Sequence, residues 1–579
     1  MSETRAELTG ERRSRYRPAF TEEHLFLFLA IFIGIVGGLA VVAFRLAIEG
    51  TSLLLFGPAL HPSTLRLLLV PTAVGLVVAA VVLLFFPRVR GSGVNQTKSA
   101  LYIYDGFIPF RTALGKFLTA SAAIGGGHSL GPEDPSLQIG AAIASVVGRK
   151  LRLSREKLRL IAPIGATAGL AAAFNAPISA VLFVIEEVVG RWSAGIFGAT
   201  VLASVSAVVV ARWFLGSEPL FRIPPVEFIR PNELLAYAVL GIVGAFASVV
   251  FARGITLLRP RLKALPRWTQ FLQPAIAGLL IGIIGAAGAP QVMGAGYEAI
   301  DQAMHGQFTW QFLAVLAALK ILATVLSFTS GTPGGMFAPT LFIGAMLGGA
   351  VGGAEQALFS HLTGSVGTYA LVGMGVLFAA FLRAPMTSVF MVLEVSGNYS
   401  IILPVLVANT LAYLISRSLD PVPIFDLLSR QDGLELPSME EQREAAIWRV
   451  EDAMRPLDVP VLAESESVAS ALRALEHSAA GMVLTYGPEG WTTILIAALE
   501  HARRAEREQE TVAAIAPATG KISALYPDQP IGAALKTLAA APVVPVIHRA
   551  DSHQVVGMVS LQDVLDMYRR LQNVNGDRH

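Results

Sequence analysis

The stretch Gly125-Gly126-Gly127-His128-Ser129-Leu130-Gly131-Pro132-Glu133-Asp134-Pro135-Ser136-Leu137-Gln138-Ile139-Gly140-Ala141 decides how this chain is read. Glycines give way to two adjacent carboxylates and a proline, then to an apolar run of small residues, all within apolar surroundings. A charged pair in such a region is costly and is retained for function by default. Pro135 suits the first turn of a helix, where its missing N–H costs nothing. The glycines before it let the backbone bend and expose its amides. A helix starting inside a membrane with exposed N–H groups is a ready anion site, because the amides and the helix dipole both favour negative charge. The competing reading is a glycine hinge between two spans, with the carboxylates at the water interface.

The surroundings are those of a membrane. Of the 579 residues, 54% are hydrophobic and 15% charged, with a mean hydropathy of +0.59. Soluble domains carry about 25% charged residues. The net charge of +2 gives no reason to expect nucleic acid as a partner. The absence of cysteine excludes disulfides, thiolate metal sites and a cysteine nucleophile, and no metal site is expected. Residues 1–24 form a polar arm with Arg5, Arg12, Arg13, Arg15 and Arg17. It lacks the pattern of a secretory signal, and the positive-inside rule places it in the cytoplasm.

Apolar segments then follow one another to about residue 417. Leu25 to Ala47 and Leu67 to Phe86 are long enough to cross a bilayer. A turn-rich break, Gly91-Ser92-Gly93-Val94-Asn95-Gln96, follows. Leu137 to Val147 is too short to cross, and Arg149 to Arg159 reads as a basic interfacial connector. The polar, proline-rich Ser217 to Pro231 is a plausible midpoint. A second glycine-rich break, Ser330-Gly331-Thr332-Pro333-Gly334-Gly335-Met336-Phe337-Ala338-Pro339, follows the span ending near Phe328. Interrupted segments in corresponding positions point to a transport site between two repeats.

The repeat can be read directly. At an offset of 204, Gly127, Gly131, Pro135, Leu137, Ile139, Gly140 and Ala141 meet identical residues at 331, 335, 339, 341, 343, 344 and 345. At an offset of 208, Ala176, Pro177, Val181, Val184 and Glu186 meet Ala384, Pro385, Val389, Val392 and Glu394. Greasy segments resemble one another by chance but rarely keep prolines, glycines and a glutamate in register. The halves run roughly over residues 25–216 and 232–430, a linker over 431–449, and a soluble α/β region over 450–579. That last region has strand-like runs at Val543–Ile547 and Val555–Val559, a turn at Ala550-Asp551-Ser552-His553, and a helix from Leu561 capped by Ser560. A weaker earlier copy lies at Ser467 to Leu499.

Three half-helix starts share one chemistry: Ser92-Gly93, Gly131 to Pro135, and Gly335 to Pro339. If the repeats face each other, these termini converge at the midplane and hold a dehydrated anion without a full positive charge. Ser92 adds a hydroxyl, although an ordinary N-cap explains it equally well. Glu133 is itself an anion beside those termini. Protonated, it is neutral and free to swing away, which links anion passage to protons. Glu186 and Glu187 lie in the apolar run Val181 to Val189, where one carboxylate can pass protons and the other be structural, unless both face a cytoplasmic vestibule.

With these motifs in order, the chain resembles the CLC family of chloride channels and proton/chloride exchangers. The resemblance rests on Gly91-Ser92-Gly93-Val94, Gly131-Pro132-Glu133-Asp134-Pro135, Phe174-Asn175-Ala176-Pro177 with Glu186-Glu187, and Gly334-Gly335-Met336-Phe337-Ala338-Pro339. It implies an all-α polytopic membrane protein of two inverted repeats with broken helices, followed by a soluble α/β pair of CBS-like domains. It also implies a homodimer in the lipid bilayer with one ion path per subunit, both termini cytoplasmic, in a plasma or inner membrane. By resemblance, Ser92 and the amides of Met336 and Phe337 bind the anion, Glu133 is the gate and carries the proton, and Glu187 is the internal proton glutamate of exchangers. Gly557, Ser560 and Asp563 resemble an adenine-nucleotide motif. No cofactor is required, and no enzymatic activity is expected.

Four departures from the family pattern stand out. Pro132 and Asp134 replace the usual arginine and glycine around Glu133, and Val94-Asn95 follows the serine motif in place of Ile-Pro. Phe425 stands where a tyrosine usually offers its hydroxyl to the anion, and Thr332-Pro333 replaces small polar residues. Asp134 beside Glu133 raises the proton affinity of one of the two, or else binds a cation that replaces the proton as coupling ion. The expected function is proton-coupled chloride antiport. Its rivals are a passive voltage- or pH-gated channel, a nucleotide-sensing receptor, and a membrane hydrolase using His128, Ser129, Glu133 and Asp134.

Overall fold

The protein is represented by a computed structural model. It describes residues 22–58, 62–190, 194–216, 221, 233–359, 365–434, 436–437, 448–476, 478, 481–487, 490–515, 522–539, 541–549 and 551–576. Most of the arginine-bearing arm, the loop of 217–231 apart from Phe221, and most of the linker lie outside these residues. The chain forms two compact units, Met1–Met439 and Glu440–His579.

The first unit is helical. Its first half holds α1 (Glu22–Phe56), α2 (Thr64–Phe85), α3 (Gly93–Tyr102), α4 (Phe110–Gly125), α5 (Glu133–Lys150), α6 (Arg155–Phe174), α7 (Pro177–Phe183) and α8 (Ala194–Leu215). The second holds α9 (Glu233–Ala264), α10 (Thr269–Ala286), α11 (Tyr297–Met304), α12 (Trp310–Thr329), α13 (Phe337–Leu358), α14 (Val366–Leu382), α15 (Pro385–Ser396) and α16 (Ile402–Leu419), after which α17 (Ile424–Gln431) closes the unit. Among the described residues, nine helices are long and apolar enough to cross a membrane. Leu54, Trp213, Leu235 and Leu403 lie exposed on α1, α8, α9 and α16, as lipid-facing side chains do. The chain is an integral, multi-pass membrane protein.

The two halves correspond helix for helix. α1 packs on α8 as α9 packs on α16, and α5 on α6 as α13 on α14, while α2 and α10 pack across the halves. Gly140 and Gly344 explain the second of these pairs. A Cβ on Gly140 would lie 2.2 Å from the Gly165 carbonyl oxygen, and one on Gly344 would lie 2.3 Å from that of Gly373. Both helix pairs therefore cross in backbone contact, which no larger residue permits.

Two reciprocal contacts fix the halves in opposite senses. Gly131 and Gly335 form an antiparallel bridge, each N–H donating to the other's carbonyl at 2.8 Å. The helices α5 and α13 depart from this bridge. Further on, Glu394 near the end of α15 accepts from the Ile178 and Ser179 amides at 2.8 and 2.7 Å and from the Ser179 hydroxyl at 2.5 Å. Glu186, just beyond α7, accepts from the Met386 and Thr387 amides at 3.4 and 3.0 Å and from the Thr387 hydroxyl at 2.7 Å. Each glutamate caps the other half's helix N-terminus, where a carboxylate satisfies orphan amides and meets the positive end of the dipole.

Two local expectations are corrected, and a third residue gains a structural contact. Arg149 to Arg159 is not one connector: α5 runs on to Lys150, and α6 begins at Arg155 after a short turn. Charge at these helix ends is tolerated by the membrane boundary, which a composition window blurs into one basic segment. The Gly91–Gln96 break is shorter than expected, since α3 already starts at Gly93. Glu186, a candidate modulator in the sequence, is engaged as the helix cap just described.

The second unit repeats helix–strand–strand–helix twice. β1 (Val461–Ala463) pairs in parallel with β2 (Met482–Gly487), which pairs antiparallel with β3 (Gly490–Leu495). β4 (Val543–His548) pairs antiparallel with β5 (Asp551–Ser560). The helices α18 (Val468–Glu476) and α19 (Ile496–Arg504) flank the first hairpin, α20 (Ile531–Leu538) and α21 (Leu561–Gly576) the second. β5 begins at Asp551, so the expected turn at 550–553 is tighter, and the ladder shifts register at Val546/Ile547 and Ile547/His548.

Candidate functional site

Three helix starts meet around the Gly131–Gly335 bridge. α3 begins after Ser92, whose hydroxyl oxygen accepts from the Val94 amide at 3.1 Å. α5 begins with Glu133 and Asp134, and α13 with Phe337, preceded by Met336. Ser92, Glu133, Asp134, Met336 and Phe337 are all buried. The first amides of each helix have no acceptor within their own helix.

The two carboxylates diverge. Glu133 accepts from the Tyr297 hydroxyl at one oxygen and from the Ala338 amide at the other, the latter at 3.3 Å. Asp134 turns to α3, where its Oδ1 accepts from the Val94 amide at 3.0 Å and from the Ser92 hydroxyl at 3.3 Å. Pro132, at the N-cap position of α5, offers no side-chain hydrogen bond.

Two buried lysines brace the turns before α3 and α11. Lys116 donates to the carbonyls of Val89 and Gly91, both at 3.0 Å. Lys320, its repeat partner, donates to those of Val292 and Gly294 at 2.9 and 2.8 Å. Lys116 thereby holds the turn leading into α3, and Lys320 the turn leading into α11. Sequence reasoning passed over both lysines, although their spacing of 204 residues matches the repeat and is visible in the sequence.

Phe425 lies on α17 against an aromatic cluster. Its ring centroid is 6.4 Å from Phe337 and 6.4 Å from Phe183, and Phe337 in turn lies 4.9 Å from Phe183 and 5.8 Å from Phe378. The backbone carbonyl of Phe425 accepts from the Asn95 side chain at 2.8 Å, which ties α17 to α3. The position expected for the anion-binding tyrosine thus carries packing surface and no hydroxyl. A cavity of ≈ 450 Å³ is lined among others by Arg88, Arg90, Ser92, Asn95 and Gln96.

Glu187 lies apart from this bridge, in a π-helical turn over Val184–Val189. Such turns occur mostly as single interruptions of α-helices, frequently at functional sites. Its carboxylate is 3.7 Å from the Lys98 ammonium, which is 3.4 Å from Asp426, and all three groups are buried. Neither Lys98 nor Asp426 was marked in the sequence, because nothing in their spacing shows that α3, α17 and the π-turn meet.

Of the residues offered for a hydrolase, Ser129 is held by hydrogen bonds to α12. Ser129 pairs its hydroxyl with that of Thr324 at 3.0 Å, and its amide donates to the Ser327 hydroxyl oxygen at 3.1 Å. In the second unit, Asp563 accepts from the Ser560 amide and hydroxyl at 2.7 and 2.6 Å and from Arg455 at 3.1 Å. Gly557 passes so close to Met454 that a Cβ would lie 2.5 Å from its side chain. Of the three residues expected at a nucleotide site, Ser560 and Asp563 bond to each other and Gly557 packs on Met454.

Facing helix starts, buried amides and lysine-braced turns within a multi-pass bundle define an anion-transport protein. The model of the voltage gated chloride channel family matches residues 74–417, and that of the CBS domain residues 514–570. The chain belongs to the CLC family. It is 32% identical over 425 residues to a putative chloride channel protein ClcB-like from Ralstonia nicotianae, covering 71% of this chain and 99% of that one. It is 32% identical over 415 residues to the H(+)/Cl(-) exchange transporter ClcA of Vibrio campbellii, covering 69% and 88%. The fold is similar to the crystal structure of a slow cyanobacterial Cl-/H+ antiporter (TM-score 0.64, 26% identity, 70% of this chain and 97% of that one). It also matches a eukaryotic CLC transporter in fold (TM-score 0.62, 19% identity), over 94% of this chain and 99% of that one.

Proposed function

We propose that this protein exchanges chloride, or a similar small anion, for protons across a membrane. Its relatives include proteins named as H(+)/Cl(-) exchange transporters. The observation that carries the reading is the position of Glu133, a buried carboxylate lying on the Ala338 amide with Tyr297 at its other oxygen. A carboxylate held there occupies a place suited to an anion. When it takes a proton it loses the charge that favours that place. Ser92 and the starts of α3 and α13 form the cradle, and Glu187, paired with Lys98, is the inner proton acceptor.

In liposomes holding the purified protein, an outward chloride gradient should drive proton uptake. The variant Glu133→Gln should keep anion flux and lose proton movement. A reversal potential that ignores a pH gradient in the native protein would sink the antiport reading and leave a passive channel. The channel draws support from Phe425, since loss of one hydrogen bond to a charged group weakens anion holding by about 1.5–3 kcal/mol.

The remaining features belong to the same proposal. The protein works as a homodimer with both termini in the cytoplasm of a plasma or inner membrane, and it catalyses no covalent chemistry. The C-terminal unit binds adenine nucleotide at Gly557, Ser560 and Asp563, or else serves only assembly. Calorimetry with ATP decides between the two.

A further inference from the structure

The two adjacent carboxylates address positions that the repeat makes equivalent. Tyr297, which reaches Glu133, opens α11, and Gly93, which follows Ser92, opens α3; these residues are repeat partners at the offset of 204. Lys320 braces the first position and Lys116 the second. The second half has no carboxylates at the matching positions, where Phe337 and Ala338 stand. One pair of acids from one helix start therefore serves both pseudo-symmetric cradles, Glu133 on the side of α11 and α13 and Asp134 on the side of α3.

The surroundings of Asp134 are those of a bound anion. Its Oδ1 faces the Val94 amide and the Ser92 hydroxyl, both donors. A Cβ placed on Gly93 would lie 3.0 Å from that same oxygen, so the carboxylate is seated against the helix start. The second oxygen, Oδ2, is buried and has no hydrogen-bond partner among the described residues. A buried carboxylate with one oxygen unmatched gains less than a fully coordinated anion and is correspondingly displaceable. Donor groups do not suit a cation, which needs oxygen acceptors, and no cluster of acidic or histidine side chains suited to a metal ion occurs among the described residues.

We propose that Asp134 is a built-in competitor of the transported anion at Ser92, a second carboxylate plug in series with Glu133. An incoming anion must displace it from the Ser92 and Val94 donors. The apparent anion affinity is then reduced by the fraction of time the cradle is free of Asp134. The proposal rests on Ser92 being part of the anion path.

The test is chloride binding to the purified full-length protein by calorimetry, with Asp134→Asn and Asp134→Gly compared to the native chain. Asn keeps the shape and removes the charge; Gly removes both. Both variants should bind chloride about tenfold more tightly if Asp134 holds the cradle roughly nine-tenths of the time. Unchanged or weaker chloride binding in a monodisperse Asn variant would overturn the proposal and leave Asp134 a cap of α3. Chloride binding that strengthens with Na⁺ in the native protein, and loses that dependence in the Asn variant, would overturn it in favour of a cation site. Binding is read without transport, so failure of proton coupling in liposomes and failure of this proposal are separate results.

Discussion

At the scale of single residues, several charges are buried inside the helical unit. Lys98 sits between Glu187 and Asp426, all three buried. Removing the cation from such a group costs about 3–5 kcal/mol, because the carboxylates keep their desolvation and lose their partner. Lys98→Met should therefore lower the melting temperature of the detergent-purified protein by several degrees. Adding Glu187→Gln should recover part of that loss, and strictly additive melting shifts would refute the coupling. The same residues mark the limit of the sequence. Glu133 and Asp134 announce themselves as acids in grease, and Lys116 and Lys320 are detectable through the repeat. Lys98 and Asp426 are not, since 328 residues separate two groups that bond only because α17 returns to α3.

At the scale of elements, short helices gain their stability from the other half. α7 has only seven residues, too few to persist alone, and its first amides are taken by Glu394. α15 is held in the same way by Glu186. Each cap is a charge-assisted hydrogen-bonded group worth about 1.5–3 kcal/mol. Glu394→Gln should destabilise the protein by an amount in that range, measured by thermal unfolding, and leave the proton-to-anion ratio in liposomes unchanged. A changed ratio with unaltered stability would count against a structural role. The glutamate pair was legible as a repeat match, but its purpose was not. Sequence shows that two acids correspond; only the antiparallel packing of α7 and α15 shows that each serves the other's helix.

At the scale of the whole molecule, the loops carry ion pairs that respond to acid. Asp105, between α3 and α4, is bonded by Arg155 at 2.9 Å and Arg159 at 2.6 Å, and these guanidiniums hold its carboxyl below the usual range. In the second unit Arg549 does the same for Asp528, at 2.7 Å to each oxygen. Because folding lowers both values, the stability these pairs give is present above the unfolded value, about 3.9. It is lost as the pH falls through the folded values. Near neutrality these pairs should thus contribute fully and leave the melting temperature independent of pH, and it should fall at strongly acidic pH. Asp105→Asn should reduce that acid sensitivity; an identical acid limb in the variant would exclude Asp105 as a contributor.

What the sequence determined by itself was the membrane class, the duplication and the acid-bearing helix start. Each follows from local composition or from register, which a linear string preserves. What only the tertiary structure decided was which groups share a space. The Gly131–Gly335 bridge, the reciprocal glutamate caps and the Lys98 pairing all join residues far apart in the chain, and they depend on how two halves of opposite sense meet. The opposite turning of Glu133 and Asp134 belongs here too. Adjacent residues at a helix start point in different directions, and only the neighbours supplied by α3, α11 and α13 show that both directions end on hydrogen-bond donors.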